Sequence, residues 1–285
     1  MRIALLLHES DSGRPPESYR IHHLARLWAS QGHDVVPVYG TGRFVPADVA
    51  ILHVDLSLVP QQYLDLAAKY PLCMNLRVRD IRKSTISRQG VRAGDGWNGP
   101  VIVKTDLNHA GVPERFHFPA WRRALQATSS CARRVLGRAG LEWPGDYRVY
   151  PSMATVPAML VGRRGIFIER FLPEIDSGEY VARAVIFVGS RHAGVLTRSA
   201  SPVVRYGNAT HLELCEAHPA IVRHAQDMGL DYGKIDYLLH KGQPVLIDVN
   251  KTIGGVPPPD HPVLTRLYAQ CAPGLAEWAG SAIAV

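Results

Sequence analysis

Two carboxylates and an amide, Asp236, Asp248 and Asn250, carry the clearest chemistry in this chain. They lie in two apolar-rich runs on either side of His240-Lys241-Gly242-Gln243. That pattern predicts a β-hairpin. Side chains alternate faces along a strand, so Asp248 and Asn250 point the same way. With 241–243 as a three-residue loop, His240 faces Pro244 and Asp236 faces Asp248. Three oxygen-bearing side chains then converge on one face of otherwise apolar strands. A two-residue loop would shift the register by one and break this geometry. Burying two carboxylates side by side is costly unless a cation neutralises them. Hard oxygen donors in small number suit Mg²⁺, which binds through one or two carboxylates plus substrate phosphates. The hairpin alone points to a Mg-nucleotide site. The alternative, a surface hairpin with solvated charges, fits poorly with such apolar neighbours.

The elements that must position these residues read as follows. Residues 1–75 alternate strand and helix: strands at 1–8, 34–39, 47–53 and 72–76, helices at 18–31 and 60–69. The first helix has Ile21, Leu24, Ala25, Leu27 and Trp28 at helical spacing, with Gly32 just past its end. Strand–helix alternation with apolar strands argues for a parallel sheet with helices on both sides. No Gly-x-Gly-x-x-Gly follows the first strand. The polar loop from His8 to Gly13 lies where open α/β sheets bind ligands. It reads equally well as an acceptor contact or as a plain polar connection. Residues 180–188 and 191–199 form a second hairpin around Gly189-Ser190, and 263–283 a helix interrupted near Pro273-Gly274. The stretch 121–139 reads as a basic helix rich in Ala, Arg and Leu, which caps a site, meets a partner or simply faces solvent.

The run Tyr-Gly-Lys-Ile-Asp at 232–236, then the hairpin, then Leu-Ile-Asp-Val-Asn-Lys-Thr-Ile-Gly at 246–254, resembles the metal-binding end of ATP-grasp enzymes. The resemblance implies that Asp236, Asp248 and Asn250 hold Mg²⁺ on ATP; the middle position is more often Glu in that family. Lys234 sits where related ligases often carry a phosphate-contacting Arg. The segment 80–88 resembles the one bearing the first ATP lysine, which makes that residue Lys83. The strand 100–105 resembles the one whose lysine reaches the phosphates, here Lys104. A cation at the end of a buried apolar strand needs a partner, and a phosphate is a natural one. The loop 106–114 maps to the flap over the phosphates, but has one glycine, Gly111, where relatives have several Gly and Ser. The stretch 165–174 resembles the hinge around adenine, with Glu169, the backbone of Phe171, and Leu172 beside them. Glu179 maps to the ribose-side acid, and Arg183 and Arg198 are candidates to face phosphates or acceptor, or else are surface arginines.

The implied fold class is α/β: an N-terminal parallel α/β domain at 1–75, followed by the two lobes of an α+β grasp. The first lobe spans 76–168, with an atypical helical segment at about 115–150, and the second spans 169–285 with the metal site. The implied activity is an ATP-dependent ligase that activates a carboxylate as an acyl phosphate and joins it to an amine or other nucleophile. Its charge neutralisation falls to Mg²⁺ (Mn²⁺ as an alternative), Lys83, Lys104, Lys234 and Arg183. A small-molecule kinase on the same fold and an inactive nucleotide-binding module are the other readings. A kinase leaves a stable phosphorylated product, whereas a ligase frees phosphate.

Composition sets the frame for these readings. The chain has 285 residues, 46% hydrophobic and 20% charged, ordinary values for a globular protein. No apolar run reaches membrane-spanning length. The N-terminus reads as a first strand rather than a signal peptide, and the expected location is cytoplasmic. The four cysteines, Cys73, Cys131, Cys215 and Cys271, are far apart, which argues against a zinc ribbon or a disulfide scaffold. A net charge of +7 permits nucleic-acid binding or steering of an anionic substrate. The arginines are dispersed and no RNA-binding aromatic signature accompanies them, so small-molecule carboxylate and nucleophile substrates are the expected partners rather than nucleic acid or membrane. Oligomeric state is left open.

Overall fold

A computed structural model describes residues 1–15, 18–116, 147–254 and 261–283. The chain divides into two packed units, Met1–Asp80 with Pro173–Val285, and Ile81–Leu172.

The first unit opens with a four-stranded parallel sheet. Its strands are β1 (Arg2–Leu7), β2 (Asp34–Tyr39), β3 (Val49–His53) and β4 (Cys73–Met74), in the order β2-β1-β3-β4. The central strands β1 and β3 are almost continuously buried, as parallel strands covered on both faces must be. Helix α1 (Ile21–Ser30) buries Ile21, Leu24 and Trp28, and α2 (Gln61–Ala67) buries Tyr63, Leu64, Leu66 and Ala67. The expected strand at 72–76 shrinks to two residues because Asn75 turns into the left-handed region, φ 63°. The strand order puts β2 and β3 on opposite sides of β1, so the loops leaving β1 and β3 diverge, the arrangement at which such sheets bind ligands.

The second unit contains α3 (Lys83–Ile86), β5 (Val101–Thr105), α4 (Val112–Phe116), β6 (Val149–Tyr150) and β7 (Ile166–Arg170). Its sheet is antiparallel, in the order β6-β5-β7. Val101, Val103 and Ile168 turn to an apolar core with Val91, Val156 and Leu160. By strand alternation, Ile102, Lys104 and Glu169 take the other face. The basic helix expected at 121–139 lies outside the described residues.

The rest of the first unit is a mixed-order antiparallel sheet with three helices. Its elements are β8 (Glu174–Asp176), β9 (Glu179–Val188), β10 (Arg191–Ser199), β11 (His211–Cys215), α5 (Pro219–Met228), β12 (Tyr232–His240), β13 (Gln243–Asn250), α6 (Pro262–Cys271) and α7 (Gly274–Ile283). The order is β11-β10-β9-β12-β13, with β8 on β9. Leu267, Tyr268, Cys271 and Leu275 join Ile21, Leu24 and Trp28 in one core, so both sheets of this unit share it. Asn75 locks the junction. Its Oδ1 accepts from the amides of Asp231 and Tyr232 at 3.0 Å each, and its Nδ2 donates to Tyr232 O at 2.7 Å. The end of the parallel sheet thereby fixes the start of β12, the strand that carries Lys234 and Asp236. Among the described residues, no helix is long and apolar enough to cross a membrane.

Candidate functional site

The β12–β13 hairpin closes on two residues, Lys241 and Gly242, with φ of 53° and 77°. Positive φ at both central positions is the pattern of a type I′ turn. The three-residue loop expected from the sequence is therefore replaced: His240 pairs with Gln243, and Leu239 with Pro244. Continued unbroken, that register would put Ile247 opposite Asp236. A bulge between the Tyr237–Leu246 and Asp236–Asp248 pairs absorbs Ile247 and restores the facing carboxylates. Lys234 then opposes Asn250. All four polar side chains share one face, because residues two apart on a strand point the same way.

Asp236 is the centre of this group. Lys234 Nζ lies 2.9 Å from its Oδ2, and Asn250 Nδ2 donates to the same oxygen at 3.1 Å. Asp248 Oδ1 accepts from the Val249 amide at 2.9 Å. The Lys234 and Asp236 side chains keep 29% and 24% exposure, so the group is open to a ligand. Burial pulls the Lys234 ammonium down, but Asp236 beside it and the charge of Asp248 outweigh that, and its pKa lies above the ordinary lysine value. Among the described residues one ammonium stands beside two facing carboxylates, an arrangement that suits a divalent cation. Two carboxylates and an amide are a hard-oxygen set fit for Mg²⁺ or Mn²⁺, completed by ligand oxygens. Among the described residues, no group of three or more His, Cys, Asp or Glu gathers as a metal site. Gly233, which the sequence reading did not single out, is required here: at φ 150°, a Cβ would lie 2.4 Å from Asn250 O.

Arg183 does not join this group. It pairs with Tyr237 while Ala184 pairs with Asp236, so one step of strand alternation puts it on the opposite face. There its Nη2 lies 2.6 Å from Glu174 Oε1 and its Nε 3.2 Å from both Glu174 oxygens. Arg198 is likewise held by Asp176 at 2.7 Å, and Glu179 accepts from Thr210 Oγ1 at 2.7 Å.

In the Ile81–Leu172 unit, Lys83 opens α3 and is almost wholly buried, its Nζ 3.3 Å from Asn108 Oδ1. The loop after β5 anchors that helix: Lys83 N donates to Asp106 O at 2.9 Å, and Ser84 N to Asp106 Oδ1 at 2.8 Å. The same loop carries three successive residues in the left-handed region: His109 at φ 46°, Ala110 at 56° and Gly111 at 68°. For His109 and Ala110 this backbone is strained. A short strained turn thus stands where the resemblance puts the flap.

Lys104 has a protein partner rather than an unfilled need for a phosphate. Its ammonium pairs with Glu169 Oε1, and both side chains are 6% exposed. The antiparallel register of β5 and β7, which sets Ile102 opposite Glu169, brings the two charges to one face. Of the Phe171 backbone, expected to read a purine edge, the amide donates to Pro100 O at 2.9 Å, as the last rung of the β5–β7 ladder. The first amide beyond that rung is that of Leu172.

A further polar group lies in the first unit where β1 and β3 end. Tyr19 OH is 3.2 Å from Asp11 Oδ1 and 3.0 Å from Asp55 Oδ2, and it accepts from Arg14 Nη1. Arg14 Nε is 3.1 Å from Asp11, and Thr252 Oγ1 donates to Asp55 Oδ1 at 2.7 Å. One hydroxyl carries one proton, so Tyr19 donates to one carboxylate at a time. Burial pushes the Asp11 carboxyl up against the pull of Arg14. Lys251 Nζ donates to Val54 O at 2.6 Å and to Leu56 O, tying the loop after β3 to the residue that follows Asn250. The His8–Gly13 loop was legible as polar; the partners that its Asp11 finds, Arg14 and Tyr19, were not.

Among solved structures, the chain is similar to a D-alanine–D-alanine ligase from Bacillus anthracis complexed with ATP. The identity is 13% and the TM-score 0.50, over 99% of this chain and 98% of that one. It is similar also to a D-alanyl-alanine synthetase A from Vibrio cholerae O1 biovar eltor str. N16961, at 13% identity and TM-score 0.50, over 100% of this chain and 99% of that one. At such identities the likeness is one of fold. No protein-family model matches the sequence, and neither does any curated protein.

Proposed function

From a chain with the ATP-grasp fold, we propose an ATP-dependent ligase that activates a carboxylate as an acyl phosphate and passes the acyl group to an amine or another nucleophile. The observation that carries this reading is the bulged hairpin, which gathers Lys234, Asp236, Asp248 and Asn250 on one face. A bulge that restores facing carboxylates in an apolar hairpin has little structural benefit of its own, since like charges set side by side are costly there.

Two sets of residues, each complete within its own unit, support the reading. On the hairpin, Asp236, Asp248 and Asn250 would hold Mg²⁺, which supplies Lewis-acid polarisation of phosphate oxygens. Lys234, kept protonated by Asp236 and Asp248, adds a fixed positive charge for phosphoryl oxygens. In the other unit, Glu169 and the Leu172 amide suit the edge of adenine, one as acceptor and one as donor. Lys83 is the phosphate lysine there, and the strained 108–111 turn is the flap. Lys104 acts by holding Glu169. Arg183 is a structural partner of Glu174. The acceptor meets the Asp11–Tyr19–Asp55 group at the ends of β1 and β3.

The chemistry needs no covalent nucleophile from the protein. The substrate carboxylate attacks the γ-phosphorus, ADP leaves, and the incoming nucleophile then displaces phosphate from the acyl carbon. The chain's part is positioning and charge neutralisation. The test is a screen of amino acids, small carboxylates and amines for ATP-dependent phosphate release with product analysis. Free phosphate with a joined product is expected; a stable phosphorylated product means a kinase, and this mechanism is then wrong.

A further inference from the structure

We infer that Ser87 is a positioning residue for the Glu169 carboxylate, and through it sets the preference for a 6-amino over a 6-oxo purine nucleotide. The inference rests on the adenine role proposed for Glu169.

The geometry around Ser87 leaves its hydroxyl one direction. The Gln89 amide donates to Ser87 Oγ at 3.1 Å, which uses a lone pair. The hydroxyl hydrogen goes to Glu169 Oε2, 2.9 Å away. Lys104 holds the other oxygen, Oε1. Among the described residues each carboxylate oxygen therefore has one donor, and the two donors come from different parts of the chain. Ser87 cannot slide along its strand neighbour either. Its amide donates to Lys83 O at 2.9 Å, Arg170 N donates to Gln89 O at 2.9 Å, and Val91 N to Ile168 O at 2.8 Å. The stretch 87–91 is thus hydrogen-bonded along β7, the strand that bears Glu169.

A carboxylate held as an ion accepts and never donates. Two of its roughly four lone-pair sites are taken by Lys104 and Ser87, and the others remain for a ligand donor. A 6-amino group donates there. A 6-oxo group sets a lone pair against a lone pair. Without the Ser87 hydroxyl, the carboxylate is anchored at one oxygen only and turns about that contact. The acceptor is then no longer preorganised, and the discrimination weakens with it.

The experiment is calorimetry of Mg-ATP and Mg-GTP binding to the full chain and its variants. Wild type should prefer ATP. Ser87→Ala should lower the ATP-to-GTP affinity ratio by about tenfold, the scale of one hydrogen bond to a charged group. Ser87→Thr, which keeps the hydroxyl, should restore most of the ratio. In a Glu169→Ala background, adding Ser87→Ala should change the ratio by less than about twofold, because the two residues act as one unit. If Ser87→Ala does not fold, Ser87→Cys keeps the size with a weak donor and carries the same test. An unchanged ratio in a folded Ser87 variant, with wild type preferring ATP, overturns the inference and leaves the ATP reading intact. Wild type that binds neither nucleotide overturns the ATP reading and the inference together.

Discussion

The Lys104–Glu169 pair and the Lys234–Asp236 pair are both a lysine against a carboxylate on a sheet face, yet they are built for opposite purposes. In the first, both side chains are nearly sealed, and Ser87 takes the second carboxylate oxygen. The charges balance one to one. In the second, the Lys234 and Asp236 side chains are 29% and 24% exposed, and a further carboxylate, Asp248, faces Asp236. A sealed, balanced pair suits the fixed recognition element proposed for it. An open group with a second carboxylate suits the cation site proposed for it. The contrast turns on exposure and on one additional aspartate, and neither pair could exchange roles with the other.

The largest effect should come from breaking the sealed pair. Lys104→Met leaves Glu169 buried without its cation and should cost about 3–5 kcal/mol of stability, whereas Lys234→Met at the open group should cost about 1 kcal/mol or less. Urea denaturation of the two variants measures both. Similar losses would erase the distinction between the pairs. Since Lys104 acts through Glu169, a folded Lys104 variant should also lose adenosine and ATP affinity together, not ATP alone.

Next in size is the effect of the second carboxylate on turnover. Asp248→Asn keeps the side-chain size and should cut ATP turnover by at least about 100-fold, comparable to losing one preorganised electrostatic group. Its melting temperature should stay close to that of wild type, because the change relieves a like-charge contact. Asp248→Glu should retain more activity. Turnover equal to wild type in Asp248→Asn would mean that the hairpin is not the metal site.

Metal removal sharpens the same point from the ligand side. With EDTA in place of Mg²⁺, ATP should bind at least about tenfold more weakly, the worth of roughly 1.5 kcal/mol in charge-assisted contact. Adenosine, which meets only the sealed region, should bind as before. Calorimetry that finds ATP indifferent to Mg²⁺ removes the basis for assigning Asp236, Asp248 and Asn250.

The smallest effect concerns a buried titratable group outside both pairs. His53 at the end of β3 is fully buried, and burial, with the nearby His22 and Lys251 charges adding to it, pushes its pKa down to about 3. The unfolded value is near 6.5, so between those limits the unfolded chain binds a proton that the native chain refuses. Stability should therefore fall as pH drops below about 6.5, by up to about 1.4 kcal/mol per pH unit. Denaturation at pH 6.5 and 5.5 should show this loss in wild type and a smaller one in His53→Gln. An equal loss in both would assign the acid sensitivity elsewhere.

Much of this was readable in advance. Apolar runs at β1 and β3, helical spacing from Ile21 to Trp28, and the interruption at Pro273-Gly274 depend on local pattern, and the structure has elements there. The hairpin was legible for the same reason. Its turn was not: a Lys-Gly I′ turn and a bulge at Ile247 cancel each other's register shift, and only the pairing reveals both. The face that Arg183 takes was not legible either, because a single residue of strand phase decides it.

The sequence by itself determined which residue types are present at strand and helix spacing: two aspartates and an asparagine in an apolar hairpin, a lysine and a glutamate in separate apolar strands. Those follow from periodicity and propensity, which act over a few residues. Only the tertiary structure decided the partners. Lys104 meets Glu169 across 65 positions, Asn75 meets Tyr232 across 157, and Lys251 meets Val54 across 197. Partner choice of that kind is set by strand order and register, where a shift of one residue exchanges one face for the other.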